Sequence, residues 1–292
     1  MTQQQIGHKL ELSRIKVSRL LQKAKEEGVV KILIDYSGVY PELEEDIMKK
    51  YDVKDVIIID NSPGLSSKQQ IAQATAYYLE KHLKNNTTVA VGWGTTIRSI
   101  PDYIHSIEAT GILFSPIIGG HGQSELGMHA TTISANLAQK ANGQSLSLIA
   151  PALVQSKAER NILVSDPQIQ YVLEKTADAD YAVFSLGNPL VQDSSISKSG
   201  YISERDLKQL SEEDAICDIV SISFLNKESK ECCTNITDRC IGITGEQLKK
   251  IPNKICVVEG EEKYESVKAA LKAGYIDILI TNQNVAQYLS DN

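Results

Sequence analysis

The chain has 292 residues, a formal net charge of −7, and 23% charged against 42% hydrophobic side chains. That ordinary globular mix excludes a disordered or low-complexity scaffold, and the length suits two domains or one large domain with a small appendage. No stretch approaches the roughly 20 consecutive apolar residues of a membrane span, and the N-terminal MTQQQIGHKLELSRIKVSRL lacks the apolar centre of a secretion signal. The expectation is a cytoplasmic protein with no membrane partner.

The charge is unevenly spread. Residues 1–31 hold seven Lys/Arg and three acids, net +4, which leaves −11 on the rest. A basic head on an acidic body points to an anionic partner for the head, although a solvated basic face has the same composition. Thr2 and Gln5 fit the T-x-x-Q capping box and predict a helix from Gln3 to about Leu10 that buries Ile6 and Leu10. Glu11-Leu12 makes a turn, and Ser13 caps a second helix from Arg14 to about Glu27. In it Val17, Leu20, Leu21 and Ala24 recur as one buried stripe, opposite a face of Ile15, Lys16, Ser18, Arg19, Gln22 and Lys23. Gly28 ends the helix, and residues 29–34 alternate like a strand.

Helix, tight turn, basic helix and strand is the plan of a helix-turn-helix with a wing. Such a second helix enters the major groove of double-stranded DNA, which makes Ser13, Arg14, Lys16, Ser18, Arg19 and Lys23 the candidate DNA-binding residues. A surface helical hairpin with incidental lysines fits the same pattern. Two features count against the DNA-binding plan. The helix that usually precedes these two and closes the core has no counterpart before Thr2, and the turn position that favours glycine is occupied by Glu11. A non-glycine residue in that left-handed conformation costs roughly 1 kcal/mol.

The body alternates strands and helices. A linker and a connecting helix over 42–50 follow Pro41. Strands are expected at 54–60, 89–91, 111–117, 146–149, 181–186, 216–224, 255–258 and 276–281. Helices are expected at 96–105, 128–141, 167–175, 204–210, 245–250, 261–273 and 282–290, with one more opened by the capping box of Ser66 and Gln69. Near-continuous Val/Ile strands interleaved with amphipathic helices mean an α/β fold with a parallel sheet covered on both faces.

In such a sheet ligands bind at the carboxyl ends of strands, against helix N-termini. Two strand-to-helix junctions fit. Gly92-Trp93-Gly94-Thr95-Thr96 combines two glycines, which let the backbone approach a ligand, with two hydroxyls at a helix start, a combination that suits phosphate. It is neither a Walker A loop nor a GxGxxG fingerprint, and a plain glycine turn with a threonine cap fits equally. At Glu259-Gly260-Glu261-Glu262-Lys263, Lys263 falls in the first turn of a helix, where the dipole disfavours a cation by about 0.3–1 kcal/mol. There it is either a solvated partner of the glutamates or the cation of an anion site. Gly119-Gly120-His121-Gly122, His129, Asn188 and Asp218 also lie near strand ends. His129 fits a capping residue better than a ligand contact.

No Ser/His/Asp order, no HExxH and no paired catalytic carboxylates emerge, so no catalytic residue is assigned. The five cysteines, Cys217, Cys232, Cys233, Cys240 and Cys256, form no CxxC pair and fit reduced thiols rather than a disulfide framework or a zinc site. No metal and no cofactor is expected.

These residues together resemble the SorC-type sugar-binding transcriptional regulators. The head segments are Thr2-Gln3-Gln4-Gln5-Ile6, Ser13-Arg14-Ile15-Lys16-Val17-Ser18-Arg19-Leu20-Leu21 and Glu26-Glu27-Gly28-Val29-Val30. Those of the body are Gly92-Trp93-Gly94-Thr95-Thr96, Ile118-Gly119-Gly120, His129-Ala130-Thr131-Thr132-Ile133, Ala150-Pro151-Ala152, Ser199-Gly200-Tyr201-Ile202-Ser203, Thr237-Asp238-Arg239-Cys240-Ile241-Gly242-Ile243 and Glu262-Lys263. The resemblance spans essentially the whole chain. It implies a partial helix-turn-helix head at 1–35, a linker and connecting helix at 36–52, and at 53–292 a Rossmann-like effector domain similar to sugar-phosphate isomerases and deaminases.

It further implies an operator as DNA partner, a phosphorylated sugar or polyol as effector, and a homodimer or tetramer. Gly94, Thr95, Thr96 and Lys263 would hold the phosphate, Gly120, Asp218 and His129 would line the sugar end, and Gly92 and Gly119 are further candidate effector-binding residues. The sequence departs from the family pattern in three places. The first head helix is absent, which implies a shortened head. Residues 217–224 lack the usual glycine and arginine, and Ser185-Leu186-Gly187 stands where G-I-G is usual. Two alternatives stay open: an effector-binding protein with impaired DNA binding, and a sugar-phosphate isomerase or deaminase.

Overall fold

The computed structural model describes residues 1–26, 38–60, 65–122, 125–192 and 194–292. The chain forms two compact units, Met1–Ile34 and Asp35–Asn292.

In the first unit the helices Gln3–Leu10 and Arg14–Glu26 form as the capping signals predict. Thr2 and Gln5 make the reciprocal capping box, and Ser13 Oγ accepts from the Lys16 N–H at 3.2 Å. Glu11 takes the left-handed conformation, φ 55°. Gly7 makes the close approach of the two helices possible, since a Cβ there would lie 2.6 Å from the Leu12 carbonyl oxygen. The expected apolar stripe is only partly covered: Val17 is buried, whereas Leu10, Leu20 and Leu21 are 60%, 48% and 40% exposed. Two short helices have too little surface to cover it. Gly28 and the wing strand at 29–34 lie outside the described residues.

The second unit is built on a seven-stranded parallel sheet. Its strands are β1 Asp55–Ile59, β2 Thr88–Val91, β3 Leu113–Pro116, β4 Gln144–Ser145, β5 Tyr181–Phe184, β10 Asn253–Val258 and β11 Ile278–Asn282, in the order β1-β11-β10-β5-β2-β3-β4. Between β5 and β10 the chain builds a four-stranded antiparallel sheet, β6 Leu186–Gly187, β7 Cys217–Ile219, β8 Ser223–Leu225 and β9 Glu231–Cys232. Strands β2, β5 and β10 are buried along nearly their whole length, as a sheet covered on both faces requires.

Several expectations change, among them the helix expected at 96–105, which is the 3-10 helix Ile97–Tyr103. The strand expected at 146–149 is instead β4, the pair Gln144–Ser145; Ile149 is 88% exposed, so that apolar run lies partly outside the core. The single strand expected at 216–224 is a hairpin. Val220 and Ser221 both take left-handed backbone, φ 53° and 63°, and reverse the chain so that Asp218 pairs with Phe224. The helix Pro41–Tyr51 is no free connector: Ile47 is fully buried and the Glu44 carboxylate accepts from the N–H groups of Ile58 and Gly38. No helix among the described residues is long and apolar enough to cross a membrane.

Candidate functional site

The strand order reverses direction at β5. From β2 the sheet grows outward through β3 to β4, and from β10 through β11 to β1. Such a switch point opens a crevice beyond the carboxyl ends of the strands. A cavity of about 240 Å³ lies there, lined by the segments that follow β2 (Trp93–Thr96), β5 (Ser185–Asn188) and β10 (Glu262, Lys263). The volume is below the about 300–1,000 Å³ of drug-sized sites, so it suits a small polar molecule.

Each wall has a local cause. Gly92 ends β2 against β5: its N–H donates to the Val183 carbonyl at 2.8 Å, and a Cβ would lie 3.0 Å from Phe184 Cβ. Gly94, at φ 125°, turns the chain into the cavity wall. Thr96 precedes the 3-10 helix Ile97–Tyr103, and its side chain makes no cap hydrogen bond. The hydroxyl is therefore not used as the threonine cap of a plain turn would use it. On the β10 side Gly260, φ 100°, leads into the 3-10 turn Glu261–Lys263, and the helix Tyr264–Lys272 follows. The one helix expected at 261–273 is thus split, with Lys263 at the junction. Desolvation holds the Lys263 ammonium below the usual lysine value against the attraction of Glu262, with Lys68 adding to the depression.

The opposite wall is Asp218, from β7. Its side chain is buried, with Oδ1 2.6 Å from the Ser221 N–H that donates to it. Burial raises its pKa from 3.8 to about 7, and the Ser221 bond opposes that rise.

Of the sequence-predicted site residues the fold brings Gly94, Thr95, Thr96, Asp218 and Lys263 to this cavity. Gly92 supports the loop from behind. Gly119, Gly120 and His129 do not line it. The Gly119 N–H donates to Ile241 and the Gly120 N–H to Ala150, and a Cβ on Gly119 would sit 2.5 Å from two carbonyl oxygens, so these glycines let strand-end loops cross closely. His129 precedes the helix Ala130–Lys140 without a side-chain cap bond, its Nε2 3.0 Å from the His121 carbonyl oxygen. Sequence reasoning missed Lys68 and Ser194, which line the cavity together with Asn188, a residue that the sequence marks only as a polar group near a strand end. Lys68 had a signal: the Ser66 capping box places it in the first turn of the helix Ser67–His82.

The candidate DNA-binding residues Ser13, Arg14, Lys16, Ser18, Arg19 and Lys23 are all exposed on or at the start of the helix Arg14–Glu26. The five cysteines are buried and form no disulfide. Among the described residues the fold gathers one set of potential metal ligands, Glu213, Cys232 and Cys233, whose ligand atoms lie within 4.8 Å of one another.

Residues 40–290 match the family model described as "Putative sugar-binding domain". The chain is 28% identical to the sorbitol operon regulator of Klebsiella pneumoniae, over 99% of this chain and 93% of that protein. It is also 28% identical to the deoxyribonucleoside regulator of Bacillus subtilis, over 99% and 92%. The crystal structure of the full-length sorbitol operon regulator SorC from Klebsiella pneumoniae superposes with a TM-score of 0.83 at 27% identity, over 99% of this chain and 94% of that one. The chain belongs to this sugar-binding-domain family, and with it to the SorC-type transcriptional regulators.

Proposed function

We propose that the protein is a DNA-binding regulator of a carbohydrate-use operon, switched by a monophosphorylated sugar or sugar alcohol held noncovalently in the cavity at the ends of β2, β5 and β10. The relatives named above are regulators of a sorbitol operon and of deoxyribonucleoside use. The observation that carries the reading is the meeting of two unlike elements on one cavity. The Thr95 and Thr96 hydroxyls line the cavity beside Gly94, whose own N–H donates to the Met128 carbonyl, and Lys263 presents a partly desolvated ammonium to the same cavity. A phosphate answers both, because it accepts from the loop and restores the charge balance at Lys263.

Asp218, Asn188 and Gly187 line other parts of the wall and suit hydroxyls. On this reading the protein holds the ligand without reacting with it, which the relatives' names as regulators support; of the two candidate bases only Asp218 lines the cavity. The exposed basic face of the helix Arg14–Glu26 contacts the operator, and the regulator works as a homodimer or tetramer.

The test is a thermal-shift panel of hexose, pentose and hexitol monophosphates beside bisphosphates and free sugars, since a ligand of the folded state raises the melting temperature with concentration. Lys263→Ala should lose about 1.5–3 kcal/mol of the monophosphate response, the scale of a charge-assisted hydrogen bond. A bisphosphate that wins clearly, or a free sugar that matches its phosphate, refutes the assignment.

A further inference from the structure

Behind the Trp93 wall of the cavity lies a second, water-sized chamber of about 10 Å³, bounded by His121, Ser199, Tyr201, Ser221 and Cys240. His121 is 2% exposed and neither ring nitrogen has a hydrogen-bond partner. Its ring stacks on Trp93, centroids 3.8 Å apart, and Tyr201 meets it edge-on at 6.1 Å. The Ser221 hydroxyl is a second buried group without a partner. Its neighbours are occupied: the Ser221 N–H donates to Asp218, and the Ser221 carbonyl accepts from the Cys240 thiol. Two orphaned polar side chains thus border one chamber with room for about one oxygen atom, whose remaining wall is mainly apolar, with Leu153, Ile196 and Phe224 among it.

Burying such groups unpaired costs about 1–3 kcal/mol each, so their retention needs a reason. The chamber shares its walls with the main cavity. Trp93 lines the cavity and stacks on His121, Ile196 lines both spaces, and Ser221 follows Val220 in the hairpin that carries Asp218. Val220 and Ser221 hold left-handed backbone there, φ 53° and 63°, a conformation that disfavours β-branched valine.

We propose that His121 and Ser221 form the specificity end of the effector site, and that a hydroxyl of a phosphorylated polyol or open-chain sugar, far from its phosphate, enters this chamber past Trp93 and hydrogen-bonds to both. The inference rests on the phosphate reading above and adds the residues that measure the length of the ligand. A hydroxyl is both donor and acceptor, as are a neutral imidazole and a serine, so one oxygen can pair with one His121 ring nitrogen and with the Ser221 hydroxyl. Burial, with a smaller contribution from His129, lowers the His121 pKa to about 3, which keeps the ring in the neutral form that pairs with a hydroxyl.

The test compares the full-length wild type, His121→Phe and Ser221→Ala by thermal shift and calorimetric titration. The probes are inorganic phosphate, glycerol 3-phosphate and the monophosphates of five- and six-carbon polyols. Phe keeps the stack on Trp93 and removes both orphaned nitrogens. The unliganded His121→Phe protein is expected to melt at or above the wild type, which a structural histidine would not allow. Its affinity for the long polyol phosphates falls about tenfold, one hydrogen bond to a buried partner, while that for glycerol 3-phosphate is unchanged. Ser221→Ala gives a smaller loss with the same length dependence.

Equal affinity of wild type and His121→Phe for every probe overturns the inference and leaves the phosphate reading standing. A loss of the same size for short and long probes also overturns it, because that is damage passed through Trp93 to the loop. A wild type that answers no phosphate monoester overturns the phosphate reading and this inference together.

Discussion

The Ser221 N–H donates to Asp218 Oδ1 at 2.6 Å across the tight turn between β7 and β8. One acidic side chain therefore does two things: it supports a reversal made by two left-handed residues without glycine, and it presents a buried carboxyl to the cavity. The backbone bond favours the charged form while burial disfavours it more strongly, and the balance leaves the pKa at about 7.

The first prediction follows from that balance. The folded state holds a proton on Asp218 up to about pH 7, whereas the unfolded chain releases it near 3.8. Between those values the native state binds more protons, so this group's contribution to stability falls as pH rises and levels off above about 7. Asp218→Asn keeps an oxygen for the Ser221 N–H and cannot ionise. Measured by urea unfolding from pH 4 to 8, the stability of the wild type relative to Asp218→Asn should decline with rising pH. Parallel curves would mean that Asp218 ionises normally.

Two glycines of the β2 loop should fail in different ways. Gly92→Ala puts a methyl 3.0 Å from Phe184 Cβ and 3.2 Å from its Cα, which forces β2 and β5 apart. The expected cost is about 1–3 kcal/mol of stability, with phosphate affinity falling as the loop shifts. At Gly94 a methyl meets nothing within 4 Å, but the backbone stands at φ 125°. Gly94→Ala therefore loses phosphate affinity through backbone change, with a stability cost of about 1–3 kcal/mol. A Gly94→Ala protein that binds a sugar monophosphate normally would show that the loop does not need this conformation.

The buried His121 imidazole gives an acid-side prediction. His121 is held neutral with its pKa lowered to about 3 from 6.5. The unfolded chain takes up the proton first, so this contribution is present above about pH 6.5 and is lost as pH falls towards 3. His121→Phe should remove it, and the stability gap between variant and wild type should widen in the variant's favour between pH 6.5 and 4. A gap independent of pH would place the titrating proton elsewhere.

Local signals made much of the fold legible. The capping boxes at Thr2, Ser66, Ser203 and Thr244 all form, because a cap is a contact between residues three apart. Only the first two entered the sequence reading. The parallel sheet followed from strands apolar on both faces. The 217–225 hairpin was illegible: Cys217-Asp218-Ile219-Val220-Ser221-Ile222-Ser223-Phe224 has the β-branched run of one buried strand and no glycine, asparagine or proline at the reversal. The phosphate side of the cavity was visible in the glycines and threonines after β2 and in Lys263. The His121 chamber was not, since a histidine between glycines reads as loop, and its burial against Trp93 is set by elements distant in sequence. In the head the periodic leucines were found, but periodicity carries no information on whether a partner surface covers them.

The head supports a prediction about DNA. Arg14 and Arg19 are exposed on the helix Arg14–Glu26, at its first turn and about 1.4 turns further on. Their guanidinium groups are long enough to reach phosphates or base edges when this helix lies in a major groove, and Ser13 fixes the start of the helix through the Lys16 N–H. A lost phosphate contact weakens binding to all sequences and lowers the salt slope by about 1, whereas a lost base contact relaxes specificity at one position and leaves that slope nearly unchanged. Arg14→Ala and Arg19→Ala, alone and together, should each fall into one of these classes. The measurement is titration of an operator fragment and of a scrambled fragment at two salt concentrations. Because symmetric half-sites are read by a dimer, the wild type should bind a palindromic fragment more tightly than a single half-site, and sediment above the 32.1 kDa of one chain. Unchanged affinity and slope in the double variant would remove this helix from DNA recognition, and a protein that stays monomeric at micromolar concentration with and without effector would remove the paired reading.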